Sequence, residues 1–283
     1  MLDGRLDDAH SRQVAGLVAR LGLAGVWVRQ PWPAGPVTPA ASTAALLARL
    51  CAEMAACPVG LVADTDAADV GILRALTQMG ASASAGQSAV TPVSNLRLAL
   101  AGTAMAVARW QRWIVARPSV SAAEIGLAVA ETGETAQPAH TPPAPGRAVF
   151  VPFAAGRDLD TAVTGAAASA VGRAVWVEVA VSVGRTTAEA RARADAEDLF
   201  AAVGHPEREG LFGTLEECQA GAARLAHAGA TELICYLPRS SDVPDVLAQL
   251  RAIAVGARVL RPGEPPSASP PPPAGWGGRR PTT

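Results

Sequence analysis

Apolar positions along the chain switch repeatedly between helical spacing and short strand-like runs, the pattern of alternating βα units. Between Asp8 and Leu21, the residues Val14, Leu17, Val18 and Leu21 fall on one helical face. Past Gly22, the segment Gly25–Gln30 is short, apolar and rich in strand formers, and Pro31 and Pro33 close it. A helix is predicted from Ser42 to Ala56, with Leu46, Leu47, Leu50 and Met54 facing inward. Pro58 opens a second strand, Val59–Ala63, and Asp64-Thr65-Asp66 starts a further helix running to Met79. Strand, helix, strand in that order predicts a parallel sheet.

The middle of the chain carries weaker signals. Gly80 to Asn95 is nearly all Ala, Ser, Gly and Gln, too poor in large apolar groups to pack, and is expected to be a mobile loop. Leu96–Leu100 and Ile125–Val129 are candidate strands around a helix from Thr103 to Val115. Gln137–Gly146 has four prolines and is expected to be a linker or surface loop. Order returns with a strand at Val149–Phe153, an Ala-rich helix at Leu159–Ala170 and the clearest strand, Ala174–Val183. In that strand Trp176, Glu178 and Ser182 share one side, and Val175, Val177, Val179, Val181 and Val183 share the other. Thr186-Thr187-Ala188-Glu189 and Thr214-Leu215-Glu216-Glu217 are capping boxes that open helices. The strand Glu232–Leu237 and a helix from Val243 to Ile253 complete the pattern. Either a doubly wound sheet or a closed β/α barrel accommodates seven such strands. The expected division is one α/β domain over residues 1–261, followed by a disordered Pro-rich tail over 262–283.

Composition narrows the chemistry. A length of 283 residues, 49% of them hydrophobic, suffices for a full core, and a net charge of −1 offers no broad positive field. No nucleic-acid partner is therefore expected. All 24 basic residues are Arg. The absence of Lys excludes a Lys Schiff base, a pyridoxal-phosphate anchor and the Lys of a phosphate-binding P-loop. Cys51, Cys57, Cys218 and Cys235 match no zinc or redox spacing and are read as small buried hydrophobes. The acidic N-terminus has no apolar signal region, and the long uncharged stretches are rich in Ser, Thr, Gly and Gln. A cytoplasmic protein without a membrane partner is expected. There is no Gly-x-Gly-x-x-Gly turn, Gly-x-Ser-x-Gly elbow or His-Glu-x-x-His pair, and the four histidines, His10, His140, His205 and His227, are read as solvated surface residues. No metal site is expected.

The stretch from Gly172 to Ala190, with Gly184-Arg185-Thr186 running into a Glu-Ala helix, resembles the luciferase-like monooxygenase family. So do Gly210-Leu211-Phe212-Gly213-Thr214-Leu215-Glu216-Glu217, the following Ala228–Leu233, and the opening Ala19–Val28. The resemblance implies a (β/α)8 TIM barrel of luciferase-like form, incomplete or degenerate in places. It also implies FMN or a deazaflavin, coenzyme F-420, bound in the mouth at the strands' C-terminal ends. The reaction implied is hydride transfer to or from a small-molecule substrate, and a homodimer, or a heterodimer with a related barrel, is the implied assembly. Two departures stand against it. A strand before the first helix is expected to be missing, and the only Gly-Gly-Arg, Gly277–Arg279, lies in the tail rather than after the central strands. They motivate an alternative: a barrel without a cofactor, serving as a non-catalytic partner or regulatory subunit.

Barrel active sites are built at strand C-terminal ends. The candidates there are Asp64, Thr65, Arg185 and Thr186 for the cofactor, and Gln30, Trp32 and Phe153 for the substrate pocket. Arg185 offers charge-assisted hydrogen bonds to a phosphate or acidic tail. Asp64 is also well placed simply to cap the helix after it.

Overall fold

The computed structural model describes residues 2–3, 8–30, 39–54, 57–75, 96–115, 124–128, 147–153, 157–195, 206–236 and 243–259. The expected loop at Gly80–Asn95, the Pro-rich segment Gln137–Gly146, the tail from Pro262 and Trp32 lie outside the described residues.

In chain order the elements are β1 (Leu2–Asp3), α1 (Asp8–Leu21), β2 (Val26–Gln30), α2 (Ala40–Glu53), β3 (Val59–Asp64) and β4 (Leu96–Ala101). Next come α3 (Ala104–Val115), β5 (Glu124–Ala128), β6 (Arg147–Val151), α4 (Leu159–Ala170) and β7 (Val175–Val183). The last are α5 (Thr187–Asp195), α6 (Pro206–Glu209), β8 (Gly210–Gly213), α7 (Leu215–Ala228), β9 (Glu232–Cys235) and α8 (Val243–Val259). All strand pairs are parallel, in the order β1 to β7; β9 pairs the first half of β7 and β8 pairs its second half. The expectation of a missing first strand is corrected here: Leu2 and Asp3 pair with Val28 and Arg29. Two residues in an acidic stretch give no hydrophobic run, so their strand character is set by the edge that β2 offers.

Both faces of the strands are buried, but against different partners. Val26, Val28, Val59, Leu61, Leu96, Leu98 and Leu100 join residues of α1, α2 and α3 in one cluster. Val149, Val151 and the odd-numbered valines of β7 join α4 and α7 in another. The alternate positions Trp27, Val62, Ala99, Ala148, Phe150, Trp176 and Ile234 form a third cluster with no helix in it. The helices thus cover one face of the sheet, and the sheet covers its own other face.

That arrangement requires curvature. The strands β2 and β7 are five steps apart in the sheet, about 24 Å if it lay flat. Yet the Trp27 and Trp176 rings meet edge to face, with centroids 5.3 Å apart. Helix α1 packs against both α2 and α8, so the first and last helices also meet. The result is an α/β fold of the TIM-barrel kind rather than an open doubly wound sheet. Among the described residues no hydrogen-bonded ladder joins β9 to β1 or β2, and side chains bridge that seam instead.

Glycine makes the interior possible. A Cβ on Gly60 would run into the Trp27 ring, and one on Gly126 would run into the Trp176 ring. Two indoles therefore occupy the volume that two inward side chains leave free, as jigsaw packing of a small barrel requires.

Candidate functional site

At the C-terminal ends of the strands the inner face turns from apolar to ionic. Arg29 on β2 and Glu178 on β7 point inward by the same alternation that places Trp27 and Trp176 one layer below. The Arg29 guanidinium donates from Nη1 to Glu178 Oε1. Tyr236, the residue after β9 and the chain's only tyrosine, donates its hydroxyl to the same oxygen at 2.8 Å. The backbone N–H of Phe153 donates to Glu178 Oε2, also at 2.8 Å. Glu178 and Tyr236 are fully buried, whereas the Arg29 side chain is 11% exposed. The guanidinium lies 5.9 Å from the Tyr236 ring centroid, and the half-buried Phe153 ring packs edge to face on Tyr236 at 5.5 Å.

Electrostatics fix the protons of this layer. Burial by itself lowers the Arg29 pKa, but Glu178, Tyr236 and the nearby Asp64 outweigh it, so the guanidinium is held more firmly charged than usual. Burial, and then the charge of Glu178, push the Tyr236 hydroxyl well above its ordinary range, so it stays a proton donor. One valence is unmet: Arg29 Nε is buried and has no acceptor among the described residues. Buried donors are normally paired, so an unpaired one calls for an explanation.

The predicted site residues divide between three places. Asp64 and Phe153 belong to the Arg29 layer, Asp64 by its charge and its inward position beside Ala101, Phe153 by its ring and its N–H. Asp64 also accepts from the N–H of Asp66 at 3.2 Å, which closes a turn: residues 65–68 are turn rather than the helix expected to start at Asp64, and helical backbone begins only at Gly71. Gln30 is buried on the outer face, where Thr43 of α2 donates to its Oε1 at 3.4 Å. Thr65 is fully buried, and both its N–H and its hydroxyl donate to the Ala101 carbonyl. Arg185 and Thr186 sit at the end of β7 beside the cap of α7. There Thr186 Oγ1 accepts from the Glu189 N–H, and Glu189 accepts from the Arg185 N–H. Glu217 closes the matching cap on Thr214 and takes the Thr187 hydroxyl as well, contacts that hold its carboxyl below the usual range. The N–H groups that these two caps use are thus occupied by the chain's own carboxylates and threonine hydroxyls. The Arg185 side chain is exposed.

Arg29, Glu178 and Tyr236 did not emerge as candidates from the sequence. The signal was present: a charged residue at an inward position of an otherwise apolar strand, once in β2 and once in β7, and a lone tyrosine ending the last strand. What local patterns do not show is that residues 149 and 58 positions apart meet.

A second ionic group lies at the opposite end of the interior. Arg97 of β4 donates to Glu232 Oε2 at 2.8 Å, Trp27 Nε1 donates to Glu232 Oε1 at 3.2 Å, and the Arg97 guanidinium stands 5.6 Å from the Trp176 ring centroid. Among the described residues no cluster of three or more His, Cys, Asp or Glu side chains is arranged to hold a metal ion. None of the described helices is long and apolar enough to cross a membrane. None of the four cysteines is in a disulfide, and burial pushes the Cys51 and Cys218 thiols up to about 12.

A flavin or deazaflavin ring presents carbonyl oxygens along one edge and a flat apolar face. At the rim the half-buried Phe153 ring offers such a group an apolar face, whereas the unpaired Arg29 Nε is sealed from solvent. Beneath them the interior is filled by Trp27, Trp176, Phe150 and Ile234, which leaves no room for a ring below the Arg29–Glu178–Tyr236 layer.

No protein-family model matches the chain, and no curated protein matches it. Among solved structures it resembles the monooxygenase RslO1 from Streptomyces bottropensis, at 15% identity over 89% of this chain and 92% of that one, with a TM-score of 0.55. A protein from Chromobacterium violaceum, named for spore coat polysaccharide biosynthesis, aligns over 92% of this chain and 74% of its own at 11% identity, but with a TM-score of only 0.38. At these identities the likeness to the monooxygenase shows a shared fold across nearly the whole of both chains.

Proposed function

We propose that the protein is an oxidoreductase of the luciferase-like kind, holding FMN or the deazaflavin coenzyme F-420 in the C-terminal mouth of the barrel and acting on a small organic molecule. The observation that carries this reading is the buried Arg29–Glu178–Tyr236 layer, with its unpaired donor, at the end of the barrel where such folds do chemistry. Stability alone favours apolar side chains at such a place, because a buried ion pair seldom recovers its desolvation cost. The fold shared with a monooxygenase agrees with the reading.

The group would supply the redox chemistry, so the protein need only bind, orient and exclude water. Arg29, Phe153 and Asp64 form the floor available to it, and the exposed Arg185 after β7 is the cation we assign to a phosphate or acidic tail. Burial of Glu178 and Tyr236 keeps water out from below. Titration of the purified protein with FMN and with coenzyme F-420, read as a difference spectrum, tests the proposal. Binding of one of them with a Kd below about 100 μM is expected; flat traces for both would end it.

A second reading, a barrel serving as a non-catalytic partner subunit, is favoured by the filled interior beneath the layer and by the lack of a central Gly-Gly-Arg segment. Co-purification with a related barrel would support it, and turnover by the isolated chain would exclude it.

A further inference from the structure

We propose that the barrel is a split ring with a gate between its first and last βα units: the edge formed by β1, β2 and α1 parts from β9 and α8 in a local opening, far short of unfolding, that lets water into the packed interior. The inference does not depend on the oxidoreductase reading above. Three observations carry it. The backbone is thinnest along this line, where β1 meets β2 over two residue pairs, against five between β2 and β3 and six between β3 and β4. A strand of two residues carries few of the rungs that closing a ring requires.

Side chains of β2 reach past β1 and close the ring instead. Trp27 Nε1 donates to Glu232 of β9 at 3.2 Å, the Trp27 ring meets that of Trp176 on β7, and Arg29 holds Glu178 of β7. Such contacts are released by side-chain rotation, whereas a ladder breaks only when the backbone itself moves. Each side of the line keeps firm attachments of its own. Strand β9 stays on β7 over four residue pairs, and Gln219 of α7 donates from Nε2 to the Ala252 carbonyl of α8 at 2.9 Å.

The outer layer divides along the same line. Helix α8 straddles it: its buried Leu247 packs in the cluster of α1, α2 and β2 to β4, and its buried Ile253 packs in that of β7 and α7. Regions joined by few contacts open at a lower free energy than the whole molecule unfolds. Here those contacts are two ionic clamps, a pair of indoles and the end of one helix.

Hydrogen exchange of the full chain, followed by NMR, tests the proposal. The reporter is the Trp27 indole N–H, assigned by its loss in Trp27→Phe; the residue is 6% exposed and the N–H is bound to Glu232. It should exchange about tenfold or more faster than the slowest backbone amides of β3 and β4. Its rate should also rise less steeply with denaturant, because a gate exposes less surface than unfolding does. Leu98→Ala, in the body of the first cluster, should speed the β3 and β4 amides and leave the Trp27 N–H unmoved. Leu247→Ala, on the outer side of the ring, should speed the Trp27 N–H by roughly tenfold or more, which a simple rotation of the indole would not show. Exchange of Trp27 at the rate and denaturant slope of the slowest β3 and β4 amides would overturn the gate, and the unaltered protein alone decides that point should a variant fail to fold. Exchange of Trp27 that follows Leu98→Ala, or that ignores Leu247→Ala, would overturn it as well.

Discussion

The two ends of the barrel interior are built from the same parts and differ in their contact with water. At the N-terminal end Arg97, Glu232 and Trp27 form an ion pair with an indole N–H, and the paired side chains are 20% and 19% exposed. At the C-terminal end Arg29, Glu178 and Tyr236 repeat the theme with a phenol in place of the indole, but Glu178 has no exposure at all. A partly hydrated pair gains little and costs little. A sealed pair costs several kcal/mol unless every lone pair and proton is met, and here one donor is left over. The N-terminal group reads as a clamp across the seam between β2 and β9, and the C-terminal group as a site whose polarity serves something other than stability.

Substitutions at the two ends should therefore differ in scale. Glu178→Ala strands the Arg29 charge together with the Phe153 N–H and Tyr236 hydroxyl; denaturant unfolding should show a loss of about 3–5 kcal/mol. Replacing Arg29 and Glu178 together by Met should return stability to within about 2 kcal/mol of the parent. If that double variant is as damaged as Glu178→Ala, the layer is structural and the contrast between the ends fails. Gly60→Val, in the packed zone between the two, drives a branched side chain into the Trp27 ring; the same measurement should register about 1–3 kcal/mol. Glu232→Gln, at the hydrated end, should cost no more than about 1 kcal/mol, and a loss matching that of Glu178→Ala would erase the distinction.

The smallest effect belongs to the rim. Asp66 accepts from the Thr103 hydroxyl at 2.7 Å and from its N–H at 2.6 Å, contacts that hold its carboxyl below the ordinary range and tie the ends of β3 and β4. Because its pKa is depressed in the folded state, the contribution is present above the unfolded value, about 3.9, and disappears as pH falls through the folded one. An NMR carboxyl titration should place Asp66 below that value; a midpoint above 4 would show that the tie does not form.

The helices and long strands were legible because their signals are local. The alternation of Trp176, Glu178 and Ser182 against the odd-numbered valines marks β7, and both Thr-x-x-Glu boxes cap helices as their spacing predicts. Two strands escaped notice for opposite reasons. With two residues, β1 is too short to show periodicity, and Gly210–Gly213 of β8 reads as a turn until β7 supplies its partner. Curling of the sheet was undecidable from strand order alone; it depends on Gly60 and Gly126 making room for indoles from strands far away in sequence. The ionic layer was hidden for the same reason. Arg29 looks like the polar end of a strand until Glu178 is seen facing it across the interior.

The most direct trial of the asymmetry is a titration of FMN and coenzyme F-420 into three proteins: the unaltered chain, Arg29→Met/Glu178→Gln, and Arg97→Met/Glu232→Gln. Ring binding should survive changes at the N-terminal clamp with its affinity within about twofold and fall sharply with changes at the C-terminal layer. Equal loss in both variants, or a loss caused by the clamp alone, would contradict the placement of the site.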